Sequence, residues 1–226
     1  MYFIPSKSSA SVTPEAPYFF TEKEIQTFFL ACNYVCSNDT LSGIVAKAEL
    51  LVIYCCGLRP KEARILLSKD VHLIEGYIDV EQSKGPKSRR IYISDELIQY
   101  LKKYDSMVNG YFTNRTYFFS THFDRTNSVE FIHYYFNKIW YSAFPDFIGR
   151  KPRLYDFRHH FAWANINKWV EKKEDVNSLL PYLSRYMGHN DIKHTLYYFH
   201  FVPDFYETYK SMIKELEVRI PEVSDE

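Results

Sequence analysis

The 226-residue chain reads as an α+β domain, mainly helical, with a small three-stranded antiparallel sheet. Three observations predict that class. Over most of the chain, apolar residues recur at intervals of three and four, the period of a helix packed on one face. Between Val71 and Ile93 the pattern changes to alternation, the period of a half-buried strand, and breaks twice at glycine. A hydrophobic content of 46% supplies apolar surface for one sizeable core and excludes a disordered chain.

The elements follow in order. The first twenty residues, rich in serine and proline, read as a flexible tail or linker remnant, with the folded domain spanning 21–226. Thr21-Glu22-Lys23-Glu24 forms a capping box ahead of the apolar run IQTFFLAC, so a helix starts there. A second helix over about 41–55 stops at Gly57. Pro60 suits the first turn of a third, KEARILL, so Arg59 stands at a helix entrance, where free backbone amides add positive potential. VHLIE, YIDVEQ and RRIYI are the strands, joined by turns at Glu75-Gly76 and Gly85-Pro86, with Lys84 at the second turn. Ser94 caps a helix through about Tyr104, and 105–126 is polar and irregular. Further helices are expected near 128–141, 155–170, 176–187, 191–199 and 204–218. The last, within a C-terminal segment 203–226 that ends in an acidic tail, sets Phe205, Tyr209, Met212, Ile213 and Leu216 on one face.

Net charge is zero, but it is unevenly spread. Residues 1–50 hold three basic and five acidic groups, and 201–226 hold three and seven, so the middle of the chain is net basic, as a phosphate-binding surface requires. No run reaches the length of a membrane span and the N-terminus lacks a secretory apolar block, which points to the cytoplasm. Cys32, Cys36, Cys55 and Cys56 lie in apolar helical surroundings and read as buried, reduced thiols. Neither they nor the eight histidines fall at metal-ligand spacing, so no metal or other cofactor is expected.

Five separated polar residues carry the chemistry: Arg59 in CGLRPKEA, Lys84 in EQSKGPKSRR, Arg158 in LYDFRHHFA, His189 in YMGHN and Tyr198 in HTLYYFH. Taken singly they have ordinary readings. Arg59 is a surface arginine, Arg158 a partner for Asp156, Lys84 a solvated turn, and Tyr198 one of 20 tyrosines. Taken together they meet the needs of phosphodiester transesterification: a nucleophile, cations for the non-bridging oxygens and an acid for the departing oxygen. Arginine suits the second task because its planar fork grips two phosphate oxygens and keeps its charge.

In order and spacing, from about Thr21 to His200, these motifs resemble the tyrosine recombinases, the phage-integrase family of site-specific DNA strand-exchange enzymes. The resemblance implies a catalytic domain of that type, with Arg59 and Arg158 as the phosphate clamp. It makes Lys84 the acid for the leaving 5′ oxygen, with Lys87 as rival. His189 becomes a phosphate contact, and Tyr198, nine residues on, the nucleophile. Tyr197, about 100° away on a helix, is left to packing. Glu62 holds Arg59 from one turn away or simply caps its helix. Lys87, Arg89 and Arg90 are expected to touch DNA. The family's His-x-x-Arg reads Tyr155-Asp156-Phe157-Arg158 here. Tyr155 can donate a hydrogen bond to phosphate but is a poor base at neutral pH, and His159, four residues on, reads first as a packed structural histidine, with a contribution beside Tyr155 as the second reading.

The implied reaction nicks duplex DNA through a 3′-phosphotyrosyl intermediate and rejoins it to a partner strand, without metal or ATP. The implied partners are double-stranded DNA and further copies of the chain, dimer to tetramer on DNA. Family members carry an N-terminal clamp domain of on the order of a hundred residues, and this sequence reaches the catalytic segment by Thr21. Three alternatives stand beside this reading: a weak or inactive DNA-binding relative, a type IB topoisomerase-like enzyme and, third, a metal nuclease.

Overall fold

The computed structural model describes residues 16–36, 40–81 and 88–201. The hairpin tip with Lys84 and Lys87, the first fifteen residues and the expected helix at 204–218 lie outside that set.

Helix α1, Glu22–Val35, begins at the capping box: Glu24 N–H donates to Thr21 Oγ1 (3.2 Å), and Thr21 N–H donates to the Glu24 carboxylate (2.7 Å). It buries Ile25, Phe28, Ala31 and Cys32, the residues at helical spacing. Helix α2, Leu41–Cys56, is capped by Thr40 and buried on almost every side. It is the centre of the bundle, touching α1, α3 (Pro60–Arg64), α4 (Asp95–Asn109), α5 (Val129–Ala143) and α6 (Asp156–Glu171). α2 ends at Gly57, whose φ of 59° is the left-handed conformation that glycine adopts at least cost.

The sheet is antiparallel in the order β1-β2-β3, with β1 at Val71–His72, β2 at Tyr77–Val80 and β3 at Arg89–Tyr92. Ile78 pairs with Ile91 and Val80 with Arg89, which puts Ile78, Val80, Ile91 and Arg89 on the buried face. Helices α7 (Val176–Met187) and α8 (Lys193–Leu196) and a 3-10 turn at Tyr197–Phe201 finish the described fold.

Four expectations need correction. Residues 16–20 are not tail: Phe20 is buried against Phe157 and Trp140, and Tyr18 N–H donates to Asp156. α3 lasts only five residues because the chain then turns out to bridge Leu67 with Tyr117. The helix expected over 191–199 gives way to a 3-10 turn at Tyr197. Cys55 is exposed, while Cys32, Cys36 and Cys56 are buried, all as free thiols. Among the described residues no helix is long and apolar enough to cross a membrane, and no group of His, Cys, Asp and Glu is placed to hold a metal ion.

Candidate functional site

The site is built around the C-terminus of α7. A helix leaves its last carbonyls without intrahelical donors, and they carry the negative end of the helix dipole. Here each one has a donor. Gly188, at φ 64°, turns the chain so that His189 N–H reaches the Ser184 carbonyl (3.0 Å) and Gly188 N–H that of Arg185 (2.9 Å). The next three carbonyls take three arginines. Arg89 Nε donates to Tyr186 O (2.7 Å), Arg158 Nη2 to Met187 O, and Arg59 Nη2 to Gly188 O (2.9 Å).

Arg59 and Arg158 therefore come together as the sequence suggested, although they differ in surroundings. Arg59 is 29% exposed and is held by Glu62, whose Oε1 accepts from its Nη1 at 2.7 Å. Burial opposes its charge, but Glu62 and then Tyr155 more than offset that, and its pKa is raised. Arg158 is 1% exposed and touches no carboxylate in its hydrogen bonds: its other terminal nitrogen donates to Gly57 O at the end of α2 (2.7 Å). Two helix C-termini thus supply its counter-charge. Burial, and then Arg59, pulls its pKa down to about 10, which still leaves it charged at neutral pH. Asp156, its expected ordinary partner, is taken by Arg153 at 3.0 Å.

Glu62 does more than hold Arg59. Both its oxygens also accept from Arg89, at 3.0 and 2.7 Å. Burial would raise this carboxyl, but hydrogen bonding and charge from Arg89 dominate and hold it at about 2. Arg89, expected at the DNA surface, is instead buried, with its guanidinium bonded to Glu62 and to the end of α7. The alternation in β3 carries that signal, since Arg89 is two residues from buried Ile91 and faces the same way. Arg90, on the opposite face, is half exposed, forks onto Asp79 at 2.9 and 3.0 Å and stacks over Tyr77 at 3.7 Å.

His189 follows the left-handed turn at Gly188. Its Nδ1 lies 2.8 Å from the hydroxyl of buried Thr195. Burial, then the charges of Arg158 and Arg59, holds it at about 3, so it is a neutral imidazole at physiological pH. It lines a cleft of about 410 Å³ with Ser88, Arg89, Arg185 and Ile192. A second cleft of about 330 Å³, lined by Arg59, Lys61, Arg64, His133 and Tyr155, opens on the other side of the clamp.

Tyr198 packs between α6 and α7 and is 3% exposed, whereas Tyr197 is 40% exposed. The expectation that Tyr197 would be the packed one of the pair is reversed: Tyr198 is the ring that enters the cluster formed by α6 and α7. Tyr198 Oη lies 2.9 Å from Nδ1 of His159. Burial raises the Tyr198 phenol above its ordinary range, and Arg158 only partly opposes this.

A sequence model of the Phage integrase family matches residues 18–203. A tyrosine recombinase XerC of Chlorobaculum parvum is 26% identical, over 86% of this chain and 61% of its own length. An integrase/recombinase of Sinorhizobium fredii, y4rE, is 25% identical, over 80% of this chain and 59% of its own. The chain thus spans about three-fifths of the length of these curated relatives. A crystal structure of XerH bound to its palindromic difH substrate, in a post-cleavage complex, superimposes with a TM-score of 0.70 at 18% identity, covering 91% of this chain and 56% of that one. A lambda integrase dimer bound to a COC′ core site gives 0.59 at 15% identity, covering 84% and 50%. The fold of this chain, mainly helical with a three-stranded antiparallel sheet, is that of the tyrosine-recombinase catalytic domains.

Proposed function

Because the chain belongs to the phage integrase family, we propose that it is a site-specific DNA recombinase that cuts and rejoins strands through a 3′-phosphotyrosyl intermediate. The observation that carries the reading is the convergence of Arg59, Arg158 and His189 on one helix end, beside a tyrosine whose hydroxyl is already hydrogen-bonded.

In this reading Arg59 and Arg158 offset charge on the non-bridging oxygens. Each guanidinium keeps N–H groups beyond those spent on carbonyls, and holding the forks in place before DNA arrives removes the cost of ordering them later. Neutral His189 shares a hydrogen bond with the phosphate through Nε2, its Nδ1 being fixed on Thr195. Tyr198 attacks phosphorus, and Lys84, with Lys87 as the alternative, protonates the departing 5′ oxygen. Tyr155, placed beside Arg59, is a hydrogen-bond donor to the same phosphate. Rejoining reverses the steps, so the energy stays in the phosphotyrosyl bond and neither ATP nor metal is needed.

The proposed partner is double-stranded DNA, contacted by Arg90 and the hairpin lysines, with assembly from dimer to tetramer on DNA as in the relatives' complexes. The segment from residue 16 onward acts as the breaking and rejoining domain, and the compartment is the cytoplasm, where that DNA lies. The test is covalent trapping on nicked suicide substrates made from the DNA flanking the gene. A denaturant-resistant adduct on a 3′ phosphate supports the reading. Binding without an adduct favours the silent DNA-binding alternative.

A further inference from the structure

The site leaves one reactive question open: where the nucleophile's proton goes. The hydroxyl of Tyr198 has to lose it as the O–P bond forms, and burial makes that phenol harder to ionise than a free one. Tyr155, at the position where the family pattern has histidine, carries a phenol of its own, which the reading above spends on the phosphate. Lys84 is assigned to the leaving group. His189 Nδ1 is occupied by Thr195.

We propose that His159 is the general base of the cleavage step, taking the Tyr198 proton on Nδ1 and returning it on rejoining. The proposal rests on the recombinase reading above. Its ground is geometric: Nδ1 lies 2.9 Å from Tyr198 Oη, across 39 positions of sequence, within the range over which a positioned base acts. The tilt of the two rings, with centroids 5.7 Å apart at 55°, is that of an edge contact between imidazole and hydroxyl rather than of a stacked pair. His159 follows Arg158 on α6, so the base and the buried arginine of the clamp are carried by one rigid helix. Tyr155 packs edge-on against the other side of the imidazole, with centroids 5.0 Å apart, and holds the ring's position.

Protonation state agrees with the assignment. Burial holds His159 at about 4, with Asp156 pulling up and Arg153 and Arg158 pushing down, so the resting imidazole is neutral and one ring nitrogen has a free lone pair. With the Nε2–H tautomer that lone pair is on Nδ1, facing the hydroxyl. A base this weak works because transfer is concerted with attack: the phenol becomes acidic as its oxygen bonds to phosphorus, and the phosphate's negative charge raises the imidazole's basicity. The step balances. The Oη–P bond forms, the P–O5′ bond breaks with its electron pair on the 5′ oxygen, the Oη proton moves to Nδ1, and the 5′ oxygen takes its proton from the acid. On rejoining, the 5′ hydroxyl attacks, the Oη–P bond breaks and His159 reprotonates Tyr198.

The test compares adduct formation by the full chain on the nicked suicide substrates for three proteins. His159→Asn keeps an acceptor oxygen close to the Nδ1 position but cannot hold a proton. His159→Ala opens a space that imidazole from the buffer can fill. Both variants should fall by about 10²-fold, with free imidazole restoring part of the loss in His159→Ala alone. Retention of the rate by His159→Asn would make the contact a positioning one and overturn the proposal. A DNA-free arm guards against variants that lose activity by failing to fold. In the unsubstituted chain, the ¹⁵N resonance of His159 Nδ1 should be that of an unprotonated nitrogen and should shift on Tyr198→Phe; a protonated Nδ1 would overturn the proposal regardless of kinetics. No adduct from the unsubstituted protein, with Nδ1 unprotonated, would overturn the recombinase reading itself, and the role for His159 with it.

Discussion

Helix α6 divides two hydrophobic clusters of very different size. On one side it closes the large core that runs from Phe20 through α1, α2, α4 and α5 to Phe157. On the other, Ala162 and Ile166 meet Val176, Leu180, Leu183 and Met187 of α7 in a much smaller cluster that Tyr198 completes. The clamp grows from the large core: Arg59 follows the end of α2, Glu62 lies in α3, and Arg158 is buried at the start of α6. Tyr198, the proposed nucleophile, belongs to the small one. Substitutions in the clamp should therefore cost folding energy as well as activity, whereas loss of the Tyr198 hydroxyl should cost chemistry and little stability.

The sharpest test of that contrast is Tyr198→Phe. It should abolish the covalent adduct while DNA binding persists, and stability should drop only by about 1 kcal/mol for one lost hydrogen bond. An adduct that survives in this variant moves the nucleophile to exposed Tyr197. Next in size, Arg59→Lys and Arg158→Lys should each slow cleavage by about 10²- to 10³-fold, since charge without the fork loses a donor aimed at the phosphate. Arg158→Lys should also lower the melting temperature, because two helix ends lose their cap; an unchanged melting curve would break the link between clamp and core.

Glu62→Ala is expected to destabilise the fold by about 3–5 kcal/mol, read by denaturant unfolding, because it leaves Arg59 and Arg89 facing each other unpaired. Arg89→Met, which removes the charge as well as the pairing, should cost less than Glu62→Ala and should leave the salt dependence of DNA binding unchanged. A reduced slope would make Arg89 a phosphate contact after all.

The smallest effect is that of pH. His159 and His160, held at about 4, and His189, at about 3, are neutral when folded and titrate near 6.5 when unfolded. The unfolded chain binds more protons below that value, so stability present at neutral pH is lost as pH falls from about 6.5. Glu49 acts with the opposite sign, being raised to about 8 by burial, so its share is lost as pH rises from about 4.5 towards 8. Three imidazoles outweigh one carboxyl, and the melting temperature should drop by several degrees between pH 7 and 5, at about 2–4 °C per kcal/mol. Glu62, held at about 2, adds a second loss only below about pH 4.5. A flat profile from pH 7 to 5 would mean that these imidazoles are hydrated.

Local signals in the sequence served well where the partner is local. The Thr21 box, the Gly57 stop, the Arg59–Glu62 pair one turn apart and the alternation of the strands all depend on neighbours a few residues away. What escaped depends on distance. Arg89 meets Glu62 from 27 positions away, and His159 meets Tyr198 from 39. A run of basic residues after a turn suggests a solvated DNA contact, and only the inward face of β3 reveals that one of them is committed elsewhere. The 3-10 winding at Tyr197 was hidden because aromatic residues in a row suit either helix, and which tyrosine is buried is decided by the distant cluster of α6 and α7.

The three arginines at the end of α7 rest on main-chain oxygens, and this governs how the site can change over generations. Carbonyls are supplied by every residue type, so positions 186 and 187 keep their anchors under any substitution that the packing of Tyr186 and Met187 tolerates. What cannot be exchanged freely is the point at which the helix stops. Gly188 turns at a φ of 64°, where a β-carbon is strained, and a helix continued through it would turn the Gly188 carbonyl away from Arg59. Descendants of this chain should therefore keep Gly188 while exposed Arg185 before it drifts, a contrast that deep mutational scanning of residues 184–189 would reveal directly.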